Sequence, residues 1–86
     1  MASYEIIWKK SAERELESIN RQYIPRILEA VESLTENPFP FQHRKIHSVE
    51  SIYRIRLMDY RIVYQVDTKK KLVVIYHVRH RKDVYR

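Results

Sequence analysis

The sequence contains no cysteine and no glycine among its 86 residues, and each absence excludes a class of functional site. Without cysteine, the chain forms no disulfide and offers no thiolate ligand to zinc. Without glycine, it lacks a phosphate-binding loop of the P-loop or Rossmann type. No apolar run reaches the roughly 20 residues of a membrane span, and no signal peptide opens the chain. We therefore expect one domain, residues 1–86, that is soluble and cytoplasmic.

Positive charge is concentrated in the second half of the chain. The net charge is +6. Residues 1–43 contain five Lys/Arg against seven Asp/Glu, a net charge of −2, whereas residues 44–86 contain twelve against four, a net charge of +8. So uneven a distribution predicts a strongly basic surface whose natural partner is a polyanion.

The first half of the chain predicts one strand and two helices. Residues 4–8 are rich in aromatic and β-branched side chains, which favours a strand. Ser11 is placed to cap a first helix of about ten residues. Pro25 suits the first turn of a second helix, because its missing N–H is not needed there. The pair Asn37-Pro38 is expected to end that helix.

The second half predicts strands, because the hydrophobic period changes to two. Three strands are expected at 52–57, 60–66 and 72–79, with a weaker signal for a short strand at 45–47. The predicted fold class is α+β in the order β-α-α-β-β-β, an antiparallel sheet with two helices packed on one face.

Alternation assigns the strand residues to two faces of the sheet. The positions expected to face the helices are Tyr53, Ile55, Leu57, Tyr60, Ile62, Tyr64, Val66, Leu72, Val74, Tyr76 and Val78. The cations expected on the opposite face are Arg54, Arg56, Arg61, His77 and Arg79. We expect Arg81 and Tyr85 to join this face from the basic segment at 80–86.

Clustered arginines favour phosphate binding over mere solubility. A guanidinium is permanently charged and presents a planar fork that matches phosphate. Lysine would serve solubility as well, and like charges facing one another across strands are destabilising. The cations expected to bind the backbone of RNA are Arg44, Lys45, His77, Arg79 and Lys82.

Proton transfer can come from His77, His80 or Tyr85 near the same surface. No carboxylate accompanies the histidines at ligand spacing, so neither a metal site nor a cofactor is predicted. RNA carries its own nucleophile, the 2′-OH, beside each phosphodiester. A protein of this kind need only remove that proton, stabilise the phosphorane and protonate the 5′-oxygen. The residues therefore predict a metal-independent ribonuclease.

Three segments resemble the RelE/ParE toxin superfamily, and its RelE branch more closely. They are Tyr-Arg-Ile-Arg-Leu at 53–57, Asp-Tyr-Arg-Ile-Val-Tyr at 59–64 and His-Arg-Lys-Asp-Val-Tyr-Arg at 80–86. The resemblance implies a RelE-like fold and the toxin of a type II toxin–antitoxin system. Such a toxin cleaves mRNA in the ribosomal A site and inhibits translation. The partners it implies are ribosome, mRNA and a cognate antitoxin whose acidic, amphipathic segment wraps the toxin in a hetero-oligomeric complex.

The resemblance also suggests roles for individual residues. Arg54 and Arg56 match the two strand cations of the family, and Arg61 matches its phosphate-binding arginine. Arg81 and Tyr85 match its tail arginine and its C-terminal tyrosine. With His80, these five form the expected catalytic set.

This chain departs from the family at four positions. Arginines 54 and 56 stand where the family often has lysine, so proton abstraction must fall to Tyr85, His80 or His77. Met58 and Arg79 stand where the family often has glycine. A longer or distorted turn is therefore expected at Met58.

Two other functions remain open at the level of sequence. One is a ParE-like inhibitor of DNA gyrase without nuclease activity, since fold alone does not decide function. The other is a catalytically attenuated module that binds RNA or the ribosome without cutting.

Overall fold

The computed structural model describes residues 3–47 and 49–80. These residues form two α-helices and a five-stranded sheet, which confirms the α+β class. The elements in chain order are β1 (Glu5–Trp8), α1 (Lys10–Glu17), a short 3-10 helix (Arg21–Tyr23), α2 (Ile24–Ser33), β2 (Arg44–His47), β3 (Ile52–Leu57), β4 (Tyr60–Asp67) and β5 (Leu72–His80). No helix within the described ranges is long and apolar enough to cross a membrane.

The sheet is mixed rather than purely antiparallel. Its strand order within the described residues is β1-β5-β4-β3-β2. Strands β2 to β5 pair antiparallel, as expected for strands joined by short connections. Strand β1 instead pairs parallel with β5, from Glu5 opposite Leu72 to Trp8 opposite Ile75. The fully antiparallel expectation was wrong for this pair, because no hairpin links β1 to β5 and so none sets their relative direction. The weakly signalled strand at 45–47 is present as β2.

Helix α1 begins two residues earlier than its predicted cap requires. Lys9 is the N-cap residue, without a side-chain cap, and Ser11 lies inside the helix, so the Ser11 prediction was wrong. The backbone of Lys9 explains the early start. Its N–H donates to the Ile75 carbonyl at 3.0 Å, and its own carbonyl accepts from Glu13 N–H at 3.0 Å. The chain therefore passes from strand to helix at a single residue.

Helix α2 begins as predicted and ends early. Pro25 lies in its first turn, where a missing N–H costs nothing. The helix ends at Ser33, and hydrogen-bonded turns carry the chain on to Asn37. Asn37-Pro38 therefore follows the helix at a distance of one turn.

The core lies between the helices and one face of the sheet. Its fully buried residues include Ala12, Ile27, Leu34, Ile55, Ile62, Tyr64, Val73 and Ile75. The Tyr64 hydroxyl donates to the Pro38 carbonyl at 2.8 Å, which satisfies its polar atom inside the core. Burial raises the pKa of Tyr64 well above its ordinary value. Both helices contribute to this one cluster, so they pack on the same face of the sheet, as predicted.

A β-bulge in β5 changes which residues face the core. Val63 pairs with His77 but the next residue, Tyr64, pairs with Ile75, so Tyr76 is an extra residue. The alternation predicted for the first part of β5 was therefore wrong. Val73 and Ile75 are buried, while Leu72, Val74 and Tyr76 are half-exposed. The Tyr76 hydroxyl reaches Gln65 at 3.3 Å, and the Lys9 ammonium lies 4.1 Å from the centre of the Tyr76 ring. Beyond the bulge, the predicted alternation is confirmed, because Val78 was expected to face the helices and is buried.

The hairpin between β3 and β4 is tight. Leu57 pairs with Tyr60, so Met58 and Asp59 form a two-residue turn. Of the two expected alternatives, a longer or a distorted turn, the longer one was wrong. Met58 has a φ of 57°, in the left-handed region that glycine prefers. A positive φ at only the first central residue is typical of a type II′ turn, which suits the twist of a hairpin. Methionine thus adopts the glycine conformation instead of lengthening the turn.

Candidate functional site

Five arginines lie on the face of the sheet opposite the helices. Directly paired residues of antiparallel strands project to the same side, so the register places the side chains. Arg61 pairs with Arg56 on one side and with Arg79 on the other. These three residues form a line across β3, β4 and β5, which we call the arginine row. A second line, about 7 Å along the strands, consists of Arg44, Arg54, Val63 and His77.

The arginine face is defined here as Arg44, Arg54, Arg56, Arg61 and Arg79. Arg44, Arg56 and Arg79 are exposed, whereas Arg54 and Arg61 are half-buried. Neighbouring strands lie about 4.8 Å apart, so the backbones of Arg56 and Arg79 flank that of Arg61 at about this distance on either side. Such crowding of like charge is unfavourable without an anion. Arg79 has such an anion in the Glu15 carboxylate, 2.8 Å from its Nε.

Glu15 of α1 links the helix to the end of β5. Strand β1 pairs with β5 only as far as Ile75, so α1 takes its place along the following residues. One carboxylate oxygen of Glu15 accepts from the Val78 N–H at 3.1 Å and lies 3.3 Å from His77 Nδ1. The other accepts from Arg79 Nε at 2.8 Å. This carboxylate thus fixes both a cation and a histidine of the candidate site.

The pKa of Glu15 reflects these contacts. Burial raises the pKa, but the hydrogen bonds from Arg79, the Val78 N–H and His77 outweigh burial and bring it below the ordinary value of 4.5. Glu15 is therefore ionised at neutral pH. The sequence carries no local signal for this role, because Glu15 and Arg79 are far apart along the chain.

His80 and Lys45 project to the other side of the sheet. His80 pairs with the buried Tyr60, and their rings meet edge to face with centroids 5.3 Å apart. Lys45 pairs with the buried Tyr53, and its ammonium lies 5.7 Å from that ring centre. The structure thus brings six of the expected residues together, namely Arg44, Arg54, Arg56, Arg61, His77 and Arg79. It does not bring His80 or Lys45 to them, and Arg81, Lys82 and Tyr85 lie outside the described residues.

A shallow groove continues from the arginine face. It has a volume of about 310 Å³ and is lined by Phe41, Gln42, Arg44, Arg54 and Arg56. Sequence reasoning missed Phe41, because nothing local distinguishes it from Phe39 in the same connector. Within residues 3–47 and 49–80, no group of three His, Asp or Glu side chains could hold a metal ion. What this site offers chemically is fixed positive charge, one histidine held by a carboxylate, and an adjoining groove.

The sequence profile of the ParE toxins of type II toxin–antitoxin systems, parDE, matches residues 6–85. The chain belongs to this toxin family. Its fold is shared with RelE toxins. The RelE–RelB complex of Pyrococcus horikoshii contains a chain 30% identical, with a TM-score of 0.83, covering 92% of this chain and 96% of that one. No curated protein sequence matches this toxin significantly.

Two more distant structures show the fold alone. A toxin–antitoxin complex of Mycobacterium tuberculosis contains a chain 21% identical, with a TM-score of 0.80, covering 91% of this chain and 98% of that one. The free RelE toxin of Escherichia coli, in a form with two arginines replaced by alanine, is 24% identical, with a TM-score of 0.77. The match covers 99% of this chain and 92% of that one. Several of the similar structures are complexes of RelE with RelB antitoxins.

Proposed function

We propose that this toxin is a metal-independent endoribonuclease that cleaves mRNA in the ribosomal A site and so inhibits translation. The observation that carries the proposal is the arginine row, Arg56, Arg61 and Arg79, on the face of the sheet opposite the helices. A guanidinium presents a planar fork of donors that matches the oxygens of a phosphodiester. The 30% identity to the RelE chain of Pyrococcus horikoshii, over nearly the whole of both chains, supports the same reading.

The proposed reaction uses the nucleophile of the RNA itself. The 2′-oxygen attacks the adjacent phosphorus and loses its proton to a base, and the bond from phosphorus to the 5′-oxygen breaks as that oxygen takes up a proton. The products are a 2′,3′-cyclic phosphate and a 5′-hydroxyl end. Arg61, at the centre of the arginine row, would stabilise the phosphorane with Arg81 from the C-terminal segment. Arg54 and Arg56 would position the backbone on either side.

The general base needs a group other than arginine, which stays protonated in proteins. Tyr85 remains a candidate from the family resemblance. His77 is the histidine on the arginine face, and its Nδ1 faces the Glu15 carboxylate at 3.3 Å. A carboxylate at Nδ1 favours the tautomer that leaves Nε2 free to accept a proton. His80, beside Tyr60 on the helix side, is the weaker candidate.

The experiment tests Arg61 with a matched surface cation. Arg61→Ala should lower the rate of mRNA cleavage on programmed ribosomes by about 100-fold or more, as the loss of one electrostatic donor does elsewhere. Lys69→Ala removes an exposed cation in the β4–β5 loop and should cleave like the wild type. Cleavage is measured by primer extension on the ribosome-bound mRNA. Full activity of the Arg61 variant, with an unchanged circular dichroism spectrum, would refute the assignment.

A second candidate is inhibition of DNA gyrase without nuclease activity. The observation that favours it is the match of residues 6–85 to the ParE profile. The exposed arginine face argues against it, because the core of a protein interface is usually depleted of charge. Mapping RNA ends and gyrase-trapped DNA breaks in the same expressing cells separates the two. A third outcome, tight ribosome binding with uncut mRNA, would identify an attenuated binding module.

A further inference from the structure

Phe41 is fully exposed at the tip of a well-anchored turn. Its side chain retains 100% of its accessible surface, whereas Phe39 packs against Tyr53 with ring centroids 5.1 Å apart. The His43 N–H donates to the Pro40 carbonyl at 3.0 Å, which places Phe41 and Gln42 at the centre of the turn. The His43 ring also contacts Phe39 and Tyr53. Exposure of Phe41 is thus a fixed property of the turn.

The surroundings of Phe41 are cationic. It lines the groove of about 310 Å³ together with Gln42 and three members of the arginine face, Arg44, Arg54 and Arg56. The Arg44 guanidinium donates to the His43 carbonyl at 3.0 Å, so it is held beside the turn. This volume is at the lower end of the range for small-ligand sites. An aromatic ring flanked by guanidinium groups is the arrangement that binds single-stranded nucleic acid, through base stacking and phosphate contacts.

We propose that Phe41 is a stacking platform for one base of single-stranded RNA, with the flanking phosphates bound by Arg44, Arg54 and Arg56. The inference rests on the proposed function and extends its substrate site. Arg56 belongs to both the groove and the arginine row, so the stacked nucleotide lies next to the scissile phosphate. A duplex would not fit, since its base faces are covered by their neighbours. An apolar protein partner would meet guanidinium groups on the groove wall.

The test measures RNA affinity by fluorescence anisotropy. The probe is a short, fluorescein-labelled single-stranded RNA with 2′-O-methyl groups, which is bound but not cut. Phe41→Ala should weaken binding by about 5- to 100-fold, the usual loss for one base–aromatic stack. Phe41→Trp should restore affinity, and Phe41→Leu, apolar without a π-system, should not. The matched control is Val49→Ala, which changes an apolar side chain 87% exposed and outside the groove.

Two further measurements separate stacking from other effects. An otherwise identical probe with abasic sites should bind the wild type and Phe41→Ala equally. The salt dependence of binding should be unchanged in Phe41→Ala, because phenylalanine contacts no phosphate. Wild-type affinity for RNA in Phe41→Ala, or full rescue by Phe41→Leu, would overturn the inference, as would a defect confined to antitoxin binding. Phe41-dependent RNA binding without mRNA cleavage would instead refute the proposed function.

Discussion

At the scale of single residues, Glu15 connects helix α1 to the residues of the candidate functional site at the end of β5. Its carboxylate is shared by Arg79, His77 and the backbone of Val78. The same three contacts stabilise the end of β5 and set the position of two side chains of the site. Stability and site geometry therefore depend on one ionised group.

Glu15→Gln should remove a pH-dependent part of the stability. The folded-state pKa of Glu15 is lower than its ordinary value of 4.5, so the ionised form stabilises the fold above that value. This stabilisation is lost as the pH falls through the folded-state pKa. We expect the free energy of unfolding of the wild type to exceed that of the variant by about 1 kcal/mol near neutral pH. The difference should become smaller as the pH falls. Denaturant unfolding at a series of pH values measures this difference. A difference that does not change with pH would contradict the prediction.

Met58 shows how a chain without glycine forms a tight hairpin. Its φ of 57° is unfavourable for a residue with a Cβ, by about 1–2 kcal/mol. Met58→Gly should raise the free energy of unfolding by about 0.5 kcal/mol, since glycine also adds entropy to the unfolded chain. The neighbouring Asp59 is not among the residues with positive φ and is the matched control. Asp59→Gly should not stabilise, and equal effects of the two glycines in urea unfolding would argue against strain at Met58.

At the scale of elements, the bulge at Tyr76 decides how β5 packs. The residues of β5 are apolar on both faces before the bulge, so alternation alone could not tell which side faces the core. Pairing with β1 and β4 settles it, because Ile6 and Trp8 lie beside Val73 and Ile75. The register of a strand depends on the strands that pair with it, so it cannot be predicted from the sequence of one strand alone.

Ile75→Ala should therefore cost far more stability than Val74→Ala. Ile75 is fully buried, so its truncation leaves a cavity and costs about 3 kcal/mol. Val74 is half-exposed on the opposite face of the sheet, so Val74→Ala should lower the free energy of unfolding by less than about 1 kcal/mol. Thermal or chemical unfolding of the two variants measures the difference. The reverse order would mean that the alternation predicted from sequence is right and the bulge is absent.

Much of the sheet and part of the site could be predicted from sequence. Arg54, Arg56 and Arg61 alternate with buried apolar residues on strands joined by a tight turn, so their shared face follows from local pattern. Glu15 and Phe41 could not be found in this way. The contacts of Glu15 link residues far apart in the chain, and the exposure of Phe41 depends on the tertiary anchoring of His43.

At the scale of the whole molecule, charge is divided between two sides. The helices cover the face of the sheet opposite the arginine face and come from the half of the chain with a net charge of −2. A dipolar arrangement of this kind orients an approaching polyanion before contact.

RNA binding should depend steeply on salt. Each cation that neutralises a phosphate of a single strand contributes about −0.7 to the slope of log K against log salt concentration. Arg56→Ala should make that slope shallower by about 0.7, while Lys69→Ala should change it less. Anisotropy titrations across a range of potassium chloride concentrations give both slopes. An unchanged slope for Arg56→Ala would mean that Arg56 does not contact phosphate.

The parallel pairing of β1 with β5 has a consequence for synthesis. Of the described strands, β1 is made first and pairs with β5, which is made last and also supplies one arginine of the row. Pairings so distant along the chain slow folding, towards the range of about milliseconds to seconds. Until β5 has been made, β1 lacks the strand with which it pairs, and α1 lacks the strand that Glu15 contacts. The arginine row is therefore complete only after nearly all of the described chain has been made.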